Sequence, residues 1–169
     1  GMAWLPPNVL AKTELGIAWW VPESKARIHF DCQELGKRSA IVPHPPRVFA
    51  LVQNALYVWA CKEDNRPGPT TEMCRSGYFN VNPEGVVCQG SMEEPEGAVE
   101  TRLRDWERSF NRSAFTHPNV HAPQKLTLHP KGAYAFWRDM LDGKYDKYPR
   151  ELLVGMKRPL GDVLKGVDR

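Results

Sequence analysis

Two stretches within the first sixty residues carry a strand-like pattern. Gly16 to Val21 is dense in Trp and β-branched side chains, and after Pro22-Glu23-Ser24 the segment Ala26 to Phe30 alternates with a period of two. This spacing predicts a β-hairpin. Arg47 to Val52 and Ala55 to Ala60 make a second pair, joined by Gln53-Asn54, a two-residue connection in which Asn54 can take a positive φ. Two hairpins in succession predict a four-stranded antiparallel meander. Lys62 to Thr71 is polar and punctuated by Pro67, Gly68 and Pro69, so it cannot continue a central strand and reads as a loop.

After residue 88 the period changes. Val99, Leu103, Trp106 and Phe110 recur at helical spacing with Arg and Glu between them, which predicts an amphipathic helix with acidic residues ahead of it. A second helix is predicted from about Pro130 to Leu141, ending at Gly143, with Ala133, Trp137, Met140 and Leu141 on its apolar face. Tyr145 to Arg169, broken by Pro149 and Pro159, has room for one or two short helices. Strands grouped before helices, rather than alternating with them, point to an α+β fold with helices packed on an antiparallel sheet.

Length and charge exclude more than they assign. A chain of 169 residues is long enough to bury one core, and Gly1 before Met2 reads as a scar of tag removal, leaving one domain over residues 2–169. A net charge of +3 is too small for a nucleic-acid binder, and the local positive stretch of Lys157, Arg158, Lys165 and Arg169 reads as solvated surface. No long uncharged apolar run suggests a signal peptide or a membrane span. The four cysteines form no Cys-x-x-Cys pair, which fits a reducing cytoplasmic setting where each is either a small buried hydrophobe or a nucleophile. Cys32 and Cys61 end strand-like runs and read as core, whereas Cys74 reads as an exposed loop residue.

The stretch YFNVNPEGVVCQGSM, residues 78–92, carries the chemistry. Asn80, Asn82, Pro83 and Gly85 supply turn residues, so this is an ordered extended loop with Cys88 near its end. The loop resembles that of the ubiquitin-conjugating (UBC-fold) enzymes, whose pattern is His-Pro-Asn, a turn containing Gly, an aliphatic residue and the nucleophilic Cys. The family's Asn lies eight residues before its Cys, as Asn80 does before Cys88, and Gly85 and Val87 occupy the Gly and aliphatic positions. PHPPRV, Pro43 to Val48, resembles the family's Pro-rich turn. WERSFNRSAFTHPN, Trp106 to Asn119, taken with YFNV and VCQGSM, is similar to a bacterial branch, of prokaryotic family D type. That branch is found as protein B of PRTRC gene clusters and as the conjugating enzyme of Bil-type antiphage operons. The likeness covers roughly residues 13–120. Tyr78-Phe79 stand where the family has His-Pro, so the rigidity of the loop has to come from this aromatic pair. The tripeptide His117-Pro118-Asn119 spells the family motif but follows Cys88, on the wrong side of it.

What the resemblance implies is a UBC-like α+β fold, a four-stranded antiparallel meander with helices packed on it, and a cysteine transferase that needs no cofactor. Its partners would be a ubiquitin-like protein, a ThiF-type activating enzyme and a JAB-type deconjugase in the same operon, with no nucleic acid and no membrane. Cys88 would accept the ubiquitin-like carboxyl as a thioester and surrender it to an amine. Asn80 has two compatible readings: an amide donor to the tetrahedral oxyanion, or a side chain tying its own loop together. His117 is either a general base for the incoming amine or a helix-end surface residue. Asp105 and Glu107 lie where the family often keeps an acidic group that deprotonates the acceptor lysine, and the sequence does not choose between them. His117, His121 and His129 have no His-Glu-x-x-His pattern or Cys partner to make them a metal set. A UBC-fold module that binds a ubiquitin-like protein without transferring it is the alternative. A cysteine hydrolase pairing Cys88 with His117 is a third class, but the chain shows neither the local protease signatures nor a residue to orient the His.

Overall fold

Residues 17–20 and 48–51 are apolar without interruption because both faces of the sheet they build are covered. In the computed structural model, which describes residues 1–2, 4–90 and 92–168, β1 (Val9–Lys12), β2 (Gly16–Val21), β5 (Arg47–Val52), β6 (Ala55–Ala60), β7 (Glu72–Arg75) and β9 (Gly155–Pro159) form one six-stranded antiparallel sheet in the order β1-β2-β5-β6-β7-β9. Ser91 and Arg169, which belong to the VCQGSM motif and the basic C-terminal stretch, lie outside the described residues. Successive side chains of a strand point to opposite faces. Ile17, Trp19, Phe49, Leu51, Leu56 and Val58 thus enter the larger core. Ala18, Val48, Ala50 and Trp59 enter a smaller one that also contains Leu160 and Val163.

The sheet therefore has six strands rather than four, and its pairing differs from the expected meander. Gly16–Val21 does not pair with the segment after Pro22; it lies between β1 and β5. Its expected partner belongs to β3 (Ser24–Cys32), which pairs along its whole length with β4 (Gly36–His44) in a second, three-stranded sheet. β4 is an edge strand whose polar first half is solvated, so Lys37, Arg38 and Ser39 show no apolar alternation to find. β8 (Ala114–Phe115) completes this sheet and runs parallel to β3. The hairpin β5–β6 has the expected register, Val52 opposite Ala55, but its positive φ falls on Gln53, at 56°, rather than on Asn54.

The first helix has the expected face. α1 (Leu103–Arg112), preceded by a 3₁₀ turn over Val99–Thr101, buries Leu103, Trp106 and Phe110. α2 runs from Ala133 to Leu141 and begins three residues later than expected, because Gly132 at φ 90° stands outside the helix; Phe136 joins Trp137, Met140 and Leu141 in the core. It ends in a Schellman arrangement, with Lys144 N–H donating to Asp139 C=O and Gly143 N–H to Met140 C=O. The C-terminal region holds β9 as well as a 3₁₀ turn and α3 (Leu160–Val167), which lies over the smaller core. Cys74 is buried in β7 instead of exposed in a loop. Among the described residues no helix is long and apolar enough to cross a membrane.

Candidate functional site

The segment from Gly77 to Cys88 is ordered by contacts at both ends and along its length. At its base Tyr78 and Phe79 are fully buried. The Tyr78 ring packs against Phe110, Phe115 and Trp137, and Phe79 meets Phe30 and Tyr134 edge to face. Trp137 Nε1 donates to the Gly77 carbonyl at 2.9 Å, linking α2 to the same point. The aromatic pair standing in place of His-Pro thus fills the core beneath the loop.

Tyr78 also belongs to a buried polar chain whose protons can be assigned from the atoms involved. His44 Nε2 lies 3.1 Å from the Ala26 carbonyl, so it must be the protonated nitrogen. Nδ1 is then an acceptor, and it receives the Tyr78 hydroxyl at 2.6 Å. The Tyr78 oxygen in turn accepts from Arg47 Nη1 at 3.3 Å, and the same nitrogen reaches Asn111 Oδ1 at 3.2 Å. Arg47 is buried with its Nε unpartnered among the described residues, and its guanidinium lies 5.2 Å from the Phe49 ring centroid. Burial first, and then the Arg47 charge, push the His44 imidazole down from 6.5 to about 3, so it is neutral.

Further along, the loop is stapled to β6. Val58 N–H donates to Gly85 C=O and Val87 N–H to Leu56 C=O, each at 2.9 Å. Asn82 Oδ1 accepts from the Glu84 and Val86 amides at 3.0 Å and closes the turn between them. Gly85 sits at φ 95°, and a Cβ there would fall 2.3 Å from Trp59 Nε1, so this position needs glycine for both conformation and space.

Asn80 joins the three sequence-predicted site residues. Its carbonyl accepts from Cys88 N–H at 2.7 Å, and its own N–H donates to the His117 carbonyl at 2.9 Å. It occupies the left-handed region at φ 62°, which Asn tolerates better than most residues. The nearly buried side chain donates through Nδ2 to the Ala114 carbonyl at 2.9 Å and accepts at Oδ1 from the backbone and hydroxyl of Thr116, both at 3.1 Å. Among the described residues one Nδ2 hydrogen is left over by this count. Thr116 Oγ1 also lies 2.9 Å from His117 Nδ1. Cys88 and His117 are exposed, whereas Cys61 and Cys74 are buried and Cys32 is half-buried. Burial raises the Cys61 thiol to about 12 and also pushes Cys74 up.

The other residues raised from sequence are engaged elsewhere. Asp105 pairs with Arg102 at 3.1 Å, and Glu107 accepts from Trp19 Nε1 at 3.0 Å, its carboxyl pushed up by burial. His129 Nε2 contacts Asp139 Oδ2 at 2.9 Å. Among the described residues no group of three or more His, Cys, Asp or Glu side chains is arranged to hold a metal. Sequence reasoning does not single out Thr116 or the Ala114 carbonyl, although both lie in the run Trp106 to Asn119 that carries the likeness.

No curated protein and no solved structure matches the chain. The profile of prokaryotic E2 family D matches residues 1–156, most of its length. With an exposed cysteine on a loop tied to Asn80, the chain belongs to prokaryotic E2 family D, a family of ubiquitin-conjugating-enzyme-like proteins.

Proposed function

We propose that this protein accepts the C-terminal carboxyl of a ubiquitin-like protein from a ThiF-type activating enzyme as a thioester on Cys88, and transfers it to an amine. The observation that carries this reading is that Cys88 alone of the four cysteines is exposed, on a loop whose backbone is hydrogen-bonded on both sides of it. A thiolate is a strong nucleophile, and the thioester it forms stays activated toward nitrogen. Asn80, through its remaining Nδ2 hydrogen, is the proposed oxyanion donor, and His117 the proposed base. The gene would lie in a PRTRC cluster or an antiphage operon, beside genes for the ubiquitin-like protein, the activating enzyme and a JAB-type deconjugase.

Charging tests the reading. With ATP, the activating enzyme and the ubiquitin-like partner, the wild-type protein should form an adduct that thiol removes. Cys88→Ser should give a slower, thiol-resistant oxyester, and Cys88→Ala no adduct. Cys32→Ser, Cys61→Ser and Cys74→Ser should keep the reducible adduct. An ATP-dependent adduct on Cys88→Ala would overturn the assignment. A wild-type protein that binds the ubiquitin-like partner without charging would favour the non-catalytic binding module.

A further inference from the structure

We infer that Thr116 is a positioning residue that holds the His117 imidazole as its Nδ1–H tautomer, leaving Nε2 bare as the proton acceptor for the incoming amine. The inference rests on the thioester reading for its chemistry, while its proton assignment rests only on the hydrogen bonds that join Asn80, Thr116 and His117 to one another and to the Ala114 carbonyl.

Asn80 sets the direction of the chain. Its Oδ1 receives the Thr116 backbone N–H at 3.1 Å and its Nδ2 faces the Ala114 carbonyl at 2.9 Å, so the amide can stand only one way round. An amide oxygen is an acceptor only. Thr116 Oγ1, also 3.1 Å from Oδ1, must therefore direct its single proton there. That leaves lone pairs alone on Oγ1 facing His117 Nδ1 at 2.9 Å, and the contact is a hydrogen bond only if Nδ1 carries the proton. With the opposite neutral tautomer the hydroxyl could serve His117 or Asn80 but not both, and two lone pairs would face each other across one of the gaps. Protons thus run from His117 Nδ1–H to Thr116 Oγ1 and from Thr116 O–H to Asn80 Oδ1.

Two consequences follow for transfer. Neutral imidazole has one N–H, so Nε2 carries a free lone pair on a side chain that is exposed, as Cys88 is. Protonation at Nε2 leaves the Nδ1–H bond in place, so the ring can take a proton without the chain rearranging. In the step itself the amine nitrogen bonds to the thioester carbon and gives one proton to His117 Nε2. The carbon–sulfur bond then breaks with its electron pair going to Cys88 Sγ, and the proton on Nε2 passes to that sulfur. Amide, thiol and neutral histidine remain. Asn80 belongs to both arms, since its backbone joins Cys88 to His117 and its side chain orients Thr116.

Imidazole ¹⁵N–¹H correlation spectra of ¹⁵N-histidine-labelled protein, with His117 assigned by His117→Gln, need no partner protein. The wild type should show His117 with a protonated Nδ1 and an unprotonated Nε2 at pH values where the ring is neutral. Thr116→Val should move it toward the Nε2–H form, and Thr116→Ser should restore the Nδ1–H form. In single-turnover discharge of the charged protein to free lysine, Thr116→Val should be slower by about tenfold or more and Thr116→Ser close to wild type. An Nε2–H His117 in the wild type would overturn the inference, as would an unchanged tautomer in Thr116→Val or an unchanged discharge rate for it. Failure of the wild type to charge at all would instead remove the thioester reading, and the base role with it.

Discussion

Acidification from pH 7 to pH 5 should destabilise this protein through His44, and the amount can be worked out. The buried imidazole titrates at about 3 in the folded chain and near 6.5 when exposed. Between those values the unfolded chain binds a proton that the folded one refuses, so stability falls as pH is lowered. At pH 7 both states are largely neutral at this site; by pH 5 the loss is about 2 kcal/mol, at roughly 1.4 kcal/mol per unit. For a chain of this size that is a drop of about 4–8 °C in melting temperature. The assay is urea unfolding of wild type and His44→Gln across this range. Glutamine gains no proton but loses the ring's geometry toward Tyr78 and Ala26. The variant should therefore be the less stable protein at pH 7, with the gap narrowing by about 2 kcal/mol at pH 5. Parallel stability curves would refute the reasoning, as would a folded-state titration of His44 near its ordinary value.

Other perturbations address the loop and its cysteine. Asn80→Asp sets a carboxylate oxygen against the Ala114 carbonyl, and melts should show a cost of about 1–3 kcal/mol. Discharge to amine should slow by about 10²-fold while charging survives, if Asn80 also donates to the oxyanion; unchanged discharge would leave it a purely structural residue. Gly85→Ala drives a methyl into Trp59 at a positive φ and should lose about 2–4 kcal/mol in denaturant unfolding. Native thiol titration with a chromogenic disulfide should modify Cys88 quickly and Cys61 and Cys74 only on unfolding, since burial holds those two thiols up; fast native labelling at either would contradict their placement.

Local pattern was enough to place the hairpin β5–β6, the buried face of α1 and the end of α2 at Gly143, because each is written in residues close together in the chain. The turn at Asn82 to Gly85 was legible too, since turn chemistry needs particular residues at fixed offsets, whereas the eight-residue spacing from Asn80 to Cys88 gained meaning only through the family resemblance. Strand partnership beyond that hairpin was not. Gly16–Val21 is apolar on both faces and fits several neighbours equally well, so only packing sends it to β5 and β1 while its sequence neighbour joins β4. β4 and β9 were hidden as well, for edge strands bury too little to show a period. The surroundings of the site are tertiary throughout. Tyr78 meets His44 and Arg47 of the Pro-rich turn, and Asn80 meets Thr116 from beyond α1. Hydrogen-bond partners more than thirty residues apart leave no mark in local pattern, because what selects them is the cost of burying a polar atom without a partner, and that cost arises only once the chain has closed around it.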